Sequence, residues 1–248
     1  SIVNGGDRVF FVGSDGLKMI PPGGLPVPIG QNRVDQTFFD DVDTSNLQLC
    51  IGAADPKAGI YYLAYKSLQG ASGLFDKILG YNWNLDRLFL ISVSGEYLAS
   101  LSQPGITLEN LDSVSSSIDA LTGSLDDIAT ASFPKIAAFN SDHKVGFFSG
   151  SNLEATMVTS ERGGDGRRLR VKGFRPITDA STVYGSVSKK DTAQSTASFS
   201  AEVVMNSIGF VPHNVSTRYA RAKLRIPAGT TWTRTLGVEP KVGLEGGR

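Results

Sequence analysis

Short apolar runs broken by Asp, Asn and Gly recur through the first half of the chain. Residues 8–13 (RVFFVG) and 17–20 (LKMI) flank Ser14-Asp15-Gly16, and residues 47–53 (LQLCIGA) and 60–65 (IYYLAY) flank the turn DPKAG at 55–59. Residues 77–81 (KILGY) and 87–93 (RLFLISV) flank NWNLD at 82–86, and residues 135–139 (KIAAF) and 144–149 (KVGFFS) flank NSDH at 140–143. β-branched and aromatic runs around such turns predict antiparallel hairpins. The turns recur about every 30–40 residues until an insertion delays the fourth, a spacing that suits a β-propeller built from small meander sheets.

Two stretches depart from this plan. Residues 21–28 (PPGGLPVP) cannot form a central strand, because proline removes ladder donors, and they read as an extended loop. Leu108, Leu111, Val114, Ile118, Leu121 and Leu125 follow a helical spacing of three and four, which predicts one or two short helices over residues 108–128. From about Leu153 the runs shorten, with strands predicted at 182–188, 197–204, 218–226 and 230–236 joined by polar links. The expected fold is all-β. Residues 1–150 form a β-propeller-like hairpin region with the helical insertion, and residues 151–248 form a β-sandwich-like region.

Composition narrows the function. A chain of 248 residues, 40% hydrophobic and 19% charged, is large enough to bury one or two β cores. The formal net charge is zero, so no global field draws the protein to nucleic acid or to an anionic membrane. No apolar run reaches the roughly 18–20 residues that span a bilayer. The single cysteine, Cys50, lies in an apolar run with no histidine nearby and reads as a small hydrophobe. The chain opens at Ser1 and enters a strand almost at once, so it is expected to be the later part of a longer polypeptide.

The clearest chemical pattern is a pair of alternating basic strands. Arg168, Arg170 and Lys172 alternate with Leu169 and Val171, and Arg221, Lys223 and Arg225 alternate with Ala222, Leu224 and Ile226. Period-two alternation aligns three cations about 7 Å apart on one sheet face. Such a row requires carboxylates, phosphate or a partner opposite it. It is either a DNA-facing or subunit-facing ridge, or a solvated face answered by carboxylates from neighbouring strands, and the zero net charge favours the latter.

Other candidates are weaker. Asp40, Asp41 and Asp43 form an acidic cluster, but they lack the glycine turn and terminal glutamate of a calcium loop, so a turn or helix start is expected there and no metal. His143 and His213, the only histidines, lie in predicted turns. Glu96, Glu109 and Glu154 are the carboxylates from which a glycosidase pair would be drawn. Asn214-Val215-Ser216 fits the glycosylation acceptor pattern, a short match. Neither a nucleophile elbow nor a Walker loop occurs. The tyrosines 61, 62, 65 and 81, with Trp83, are expected to fill the core. No enzyme activity and no cofactor are expected.

The order of several segments resembles phage virion proteins of the tail hub or nozzle class of short-tailed phages, including packaged-DNA stabilisation proteins. The similar segments are RVFFVGSDG at 8–16, IGQNRVDQTFFDDV at 29–42, AADPKAGIYYLAY at 53–65 and the hairpin at 77–86 with its Tyr-Asn-Trp. They continue with residues 108–126, then 218–232, and Gly246-Gly247-Arg248. The resemblance implies a virion tail location and a ring of identical subunits, taken as a hexamer, below the portal and adaptor proteins. That ring would close the DNA channel, meet double-stranded DNA without reading its sequence, and carry fibres or spikes. It implies no catalytic residue. The competing expectations are an extracellular carbohydrate-binding or glycosidase propeller, and another virion component such as a baseplate or decoration protein.

Overall fold

A computed structural model describes residues 1–102, 115, 117, 134–148, 150–163 and 166–245. The chain is all-β and divides into two compact units, Ser1–Phe148 and Ser149–Arg248. The predicted helical insertion at 108–128 and the terminal Gly246-Gly247-Arg248 lie outside the described residues, apart from Ser115 and Ser117 of the insertion.

The first unit contains three antiparallel meanders. The first joins β1 (Ile2–Asn4), β2 (Val9–Gly13), β3 (Gly16–Ile20) and β4 (Val27–Pro28) in sequence order. The proline-rich 21–28 segment is not a central strand, and its last two residues form the edge strand of this sheet. A connector follows, with helix α1 (Asp35–Asp41) and a 3₁₀ turn (Thr44–Leu49). The second meander joins β5 (Ile51–Asp55), β6 (Ile60–Tyr65), β7 (Phe75–Asn82) and β8 (Arg87–Gly95) in order. The third joins β9 (Tyr97–Ser102), β10 (Pro134–Phe139) and β11 (Val145–Phe147).

Strand alternation gives the second meander two buried faces. Tyr61, Leu63 and Tyr65 of β6, with Leu79 and Tyr81 of β7, meet Phe10 and Leu17 of the first sheet. Ala64 and Ile78, from the same two strands, turn the other way with Phe75 to meet Leu98 of β9 and Ile136 of β10. The second sheet is therefore buried on both faces, against the first sheet on one side and the third on the other. Phe10, fully buried, stacks on Tyr61 at 4.8 Å between ring centroids and on Trp83 at 5.1 Å. Burying one such ring is worth about 1.5–3 kcal/mol, so this cluster is a main tie between the first two sheets.

The connector is tied into the same core. Val34, Phe38 and Val42 recur every four residues, and all three pack into the first cluster, Phe38 and Val42 buried and Val34 partly so. Asp35 Oδ1 accepts from the Leu17 backbone N–H at 3.1 Å and lies where side chains at Gly16 and Gly30 would stand. A Cβ at Gly30 would come within 1.9 Å of that oxygen, so this position requires glycine for close approach. Arg33 grips the β7–β8 turn, donating to Asp86 Oδ1 at 2.7 Å and to the Asp86 carbonyl at 2.8 Å.

The second unit contains β12 (Ala155–Val158), β13 (Arg162–Gly163), β14 (Arg168–Thr178), β15 (Tyr184–Lys189) and β16 (Ser198–Phe199). It continues with β17 (Val203–Val204), β18 (Val211–Thr217), β19 (Tyr219–Ala220), β20 (Ala222–Ile226) and β21 (Thr235–Glu245). One sheet runs β12-β20-β15-β16, with β17 also on β15, another runs β18-β14-β21, and β13 pairs with β19. Val171, Phe174, Val211 and Val215 from the β14 sheet pack with Val187 of β15, the layered core of a sandwich. The last strand starts at Thr235, later than the expected 230–236, and β18 occupies a stretch expected to be a turn.

Candidate nucleic-acid interface

β14 is the central strand of its sheet, and its burial alternates residue by residue from Arg168 to Lys172. Leu169 and Val171 are buried, while Arg168, Arg170 and Lys172 project to the exposed face. Arg168 donates to Ser216 Oγ at 3.2 Å and to Asp191 Oδ1 at 3.0 Å, and Arg170 Nε donates to Asn214 Oδ1 at 3.0 Å. The ladder bulges between Val171 and Gly173 on both sides, which places Lys172 at the irregularity. Lys172 has no side-chain partner among the described residues.

The second basic row has different surroundings. β20 lies between β12 and β15, with Tyr184 of β15 in register opposite Arg225. Arg225 meets Glu154 at 3.0 Å and Glu202 at 2.7 Å, and its guanidinium lies 4.6 Å from the Tyr184 ring centroid. Glu202 first and Glu154 second hold the Arg225 proton more tightly than usual. Lys223 reaches Glu202 at 3.7 Å, and Arg221 reaches Glu161 at 3.4 Å, a carboxylate that Lys190 shares at 3.2 Å. Three carboxylates therefore answer the three cations, and this row is an internal ion ladder of the sheet. Exposure does not separate the rows, at 44% for Arg168 and 42% for Arg221; the carboxylates around them do.

β21 adds residues to the β14 face that sequence reasoning missed. Register places Lys241 opposite Gly173 and Glu239 opposite Arg175, and all but Gly173 are exposed. Lys241 and Arg175 have no side-chain partner among the described residues. The signal was present in residues 238–245, where Val238, Pro240, Val242 and Leu244 alternate with Glu239, Lys241 and Gly243. Arg170, Lys172, His213, Asn214, Gly243 and Leu244 line a shallow depression on this surface. The chain matches no protein-family model, and no curated protein sequence matches it at a significant level.

The remaining candidates are committed to structure. Asp41 accepts from Lys77 at 2.7 Å and from the Tyr65 hydroxyl at 3.1 Å, and Asp43 accepts from Lys66 at 2.7 Å while capping the 3₁₀ turn through Ser45 N–H. Among the described residues no cluster of three metal-ligating groups occurs. His213 lies in β18 rather than in a turn. Its Nε2 is 3.2 Å from the Gly185 carbonyl and its ring stacks on Phe174, and partial burial lowers its basicity. His143 is in the β10–β11 turn with φ +59°, its Nδ1 2.6 Å from Glu96 Oε2. Glu96 is thus engaged by His143 and Glu154 by Arg225, while Glu109 lies outside the described residues. Cys50 is half-buried against the first core cluster, and burial pushes its thiol up, away from nucleophilic character.

Proposed function

We propose that this chain is a non-enzymatic structural component of a short-tailed phage tail, a nozzle or hub subunit. In this reading it forms a ring around the DNA channel below the portal and adaptor, retains packaged DNA, and carries fibres or spikes. The observation that carries the reading is the order of the phage-like segments together with their shared packing. Residues 8–16, 29–42, 53–65 and 77–86 supply Phe10, Ile29, Phe38, Val42, Tyr61, Tyr65 and Tyr81 to one core. The segments that carry the resemblance therefore belong to one packed core. The connector contributes fixed contacts through Arg33, Asp35, Asp41 and Asp43.

Electron microscopy of the native particle carrying this chain, averaged about its long axis, tests the reading. A ring of copies around the channel below the portal is expected. A position on the capsid shell, or a free monomer with glycan-binding activity, would overturn it.

A further inference from the structure

The two basic rows are alike in sequence and unlike in place, and the difference assigns them different work. Each β20 cation has a carboxylate within ion-pair distance, from Glu154, Glu161 or Glu202. On the β14 face, Arg168, Arg170, Lys172, Arg175 and Lys241 stand with Asp191 and Glu239; Arg168 pairs with Asp191, and Lys172, Arg175 and Lys241 have no side-chain partner among the described residues. Cations at i and i+2 along a strand stand about 7 Å apart, so the Arg168-to-Lys172 row is about 14 Å long. That length covers about four 3.4 Å phosphate steps of one DNA strand. The neutral flank is also suited to phosphate. Asn214 and Ser216 of β18 orient the two arginines, and Gly243 opposite Arg170 leaves the depression open.

We infer that the exposed face of β14, with Lys241 of β21, is a phosphodiester-binding surface that meets the backbone of double-stranded DNA without reading bases, and that the β20 row takes no part. This deepens the tail reading and rests on it for the source of the DNA. Charge complementarity selects the occupant: a row of cations in excess over its carboxylates, long and shallow, fits a continuous polyanion better than a compact ligand. Backbone contacts of this kind position a protein on a duplex and carry no sequence information.

The test is fluorescence anisotropy of the full chain with a short labelled duplex across a salt series. Engagement of about three phosphates gives a log–log salt slope of about −3. The variant Lys172→Ala/Lys241→Ala removes two cations that have no partner among the described residues, and is expected to fold normally and flatten the slope by about 2. The control Lys135→Ala/Lys144→Ala makes the same change in net charge on the first unit and is expected to leave the slope unchanged. Equal effects of the two variants, or no effect of the first, overturn the assignment. So does tighter binding to a sulfated polysaccharide of matched charge density that is lost in the first variant. A tail ring in the particle with an unaltered slope rejects the surface and leaves the tail reading standing. Binding lost in the first variant, with no ring in the particle, supports the surface and rejects the tail.

Discussion

Asp43 and Asp179 are each held by several donors, and both carboxyls lie well below the usual range, at about 2. For Asp43 the largest cause is the Lys66 ammonium, followed by the Asn46 amide and the Ser45 N–H. For Asp179 it is the Thr233 hydroxyl, followed by the Arg234 and Thr233 backbone N–H groups. A carboxyl depressed in the folded state contributes stability above its unfolded value, about 3.9, and loses it as pH falls through the folded value. Stability should therefore decline between about pH 4 and pH 2. The two tryptophans report on the two units separately, Trp83 on the first and Trp232 on the second. Asp43→Asn should remove part of the acid-side loss seen by Trp83 in urea melts, at the cost of lower stability at neutral pH, and leave the Trp232 transition unchanged. Asp179→Asn should do the reverse. An identical effect of both variants on both probes would contradict the local origin of these shifts.

At the scale of elements, the two basic strands show what a sequence can and cannot disclose. Alternation correctly identified strands at 168–172 and 222–226 and the side each residue faces, because period two is a property of one strand. It did not reveal what stands opposite, because Glu154 is 71 residues from Arg225 and Glu202 is 23, and both lie just outside strands, before β12 and β17. The hairpins at 8–20, 51–65, 77–93 and 135–147 were legible for the same reason, being closed by their own turns. Helix α1 was missed although Val34, Phe38 and Val42 mark it, since seven residues give under two full repeats of the pattern. β18 was missed because Pro212, His213 and Asn214 read as a turn, while the buried members of its alternation are Val211, Val215 and Thr217. The contrast between rows predicts a contrast in stability. Glu202→Gln withdraws the shared partner of Arg225 and Lys223 and should lower the urea midpoint read by Trp232. Lys172→Ala and Lys241→Ala should leave that midpoint where it is. Equal midpoints for all three would mean that the β20 ladder contributes nothing.

At the scale of the whole molecule, each unit has cores of its own. Phe10, Tyr61, Phe75, Ile78 and Leu98 are buried within Ser1–Phe148, and Phe174, Val183, Val187, Leu224 and Ile226 within Ser149–Arg248. No strand pairing crosses the division among the described residues, since all six sheets are formed within one unit or the other. Hydrogen-bonded ladders and buried apolar clusters are the main sources of cooperativity in a β protein, so units sharing neither should fold separately. The fragment 1–148 should show a cooperative transition by Trp83 fluorescence, and the fragment 149–248 one by Trp232. Each midpoint should match the corresponding transition in the full chain. The second fragment should also retain the salt-dependent DNA binding assigned to β14, since Arg168, Arg170, Lys172 and Lys241 and their neighbours Asp191, Asn214 and Ser216 all belong to it. A fragment that folds but does not bind would show that the surface needs residues of the first unit. A fragment that does not fold would show that the two cores depend on each other, so that a destabilising change in one unit would lower the midpoint of the other.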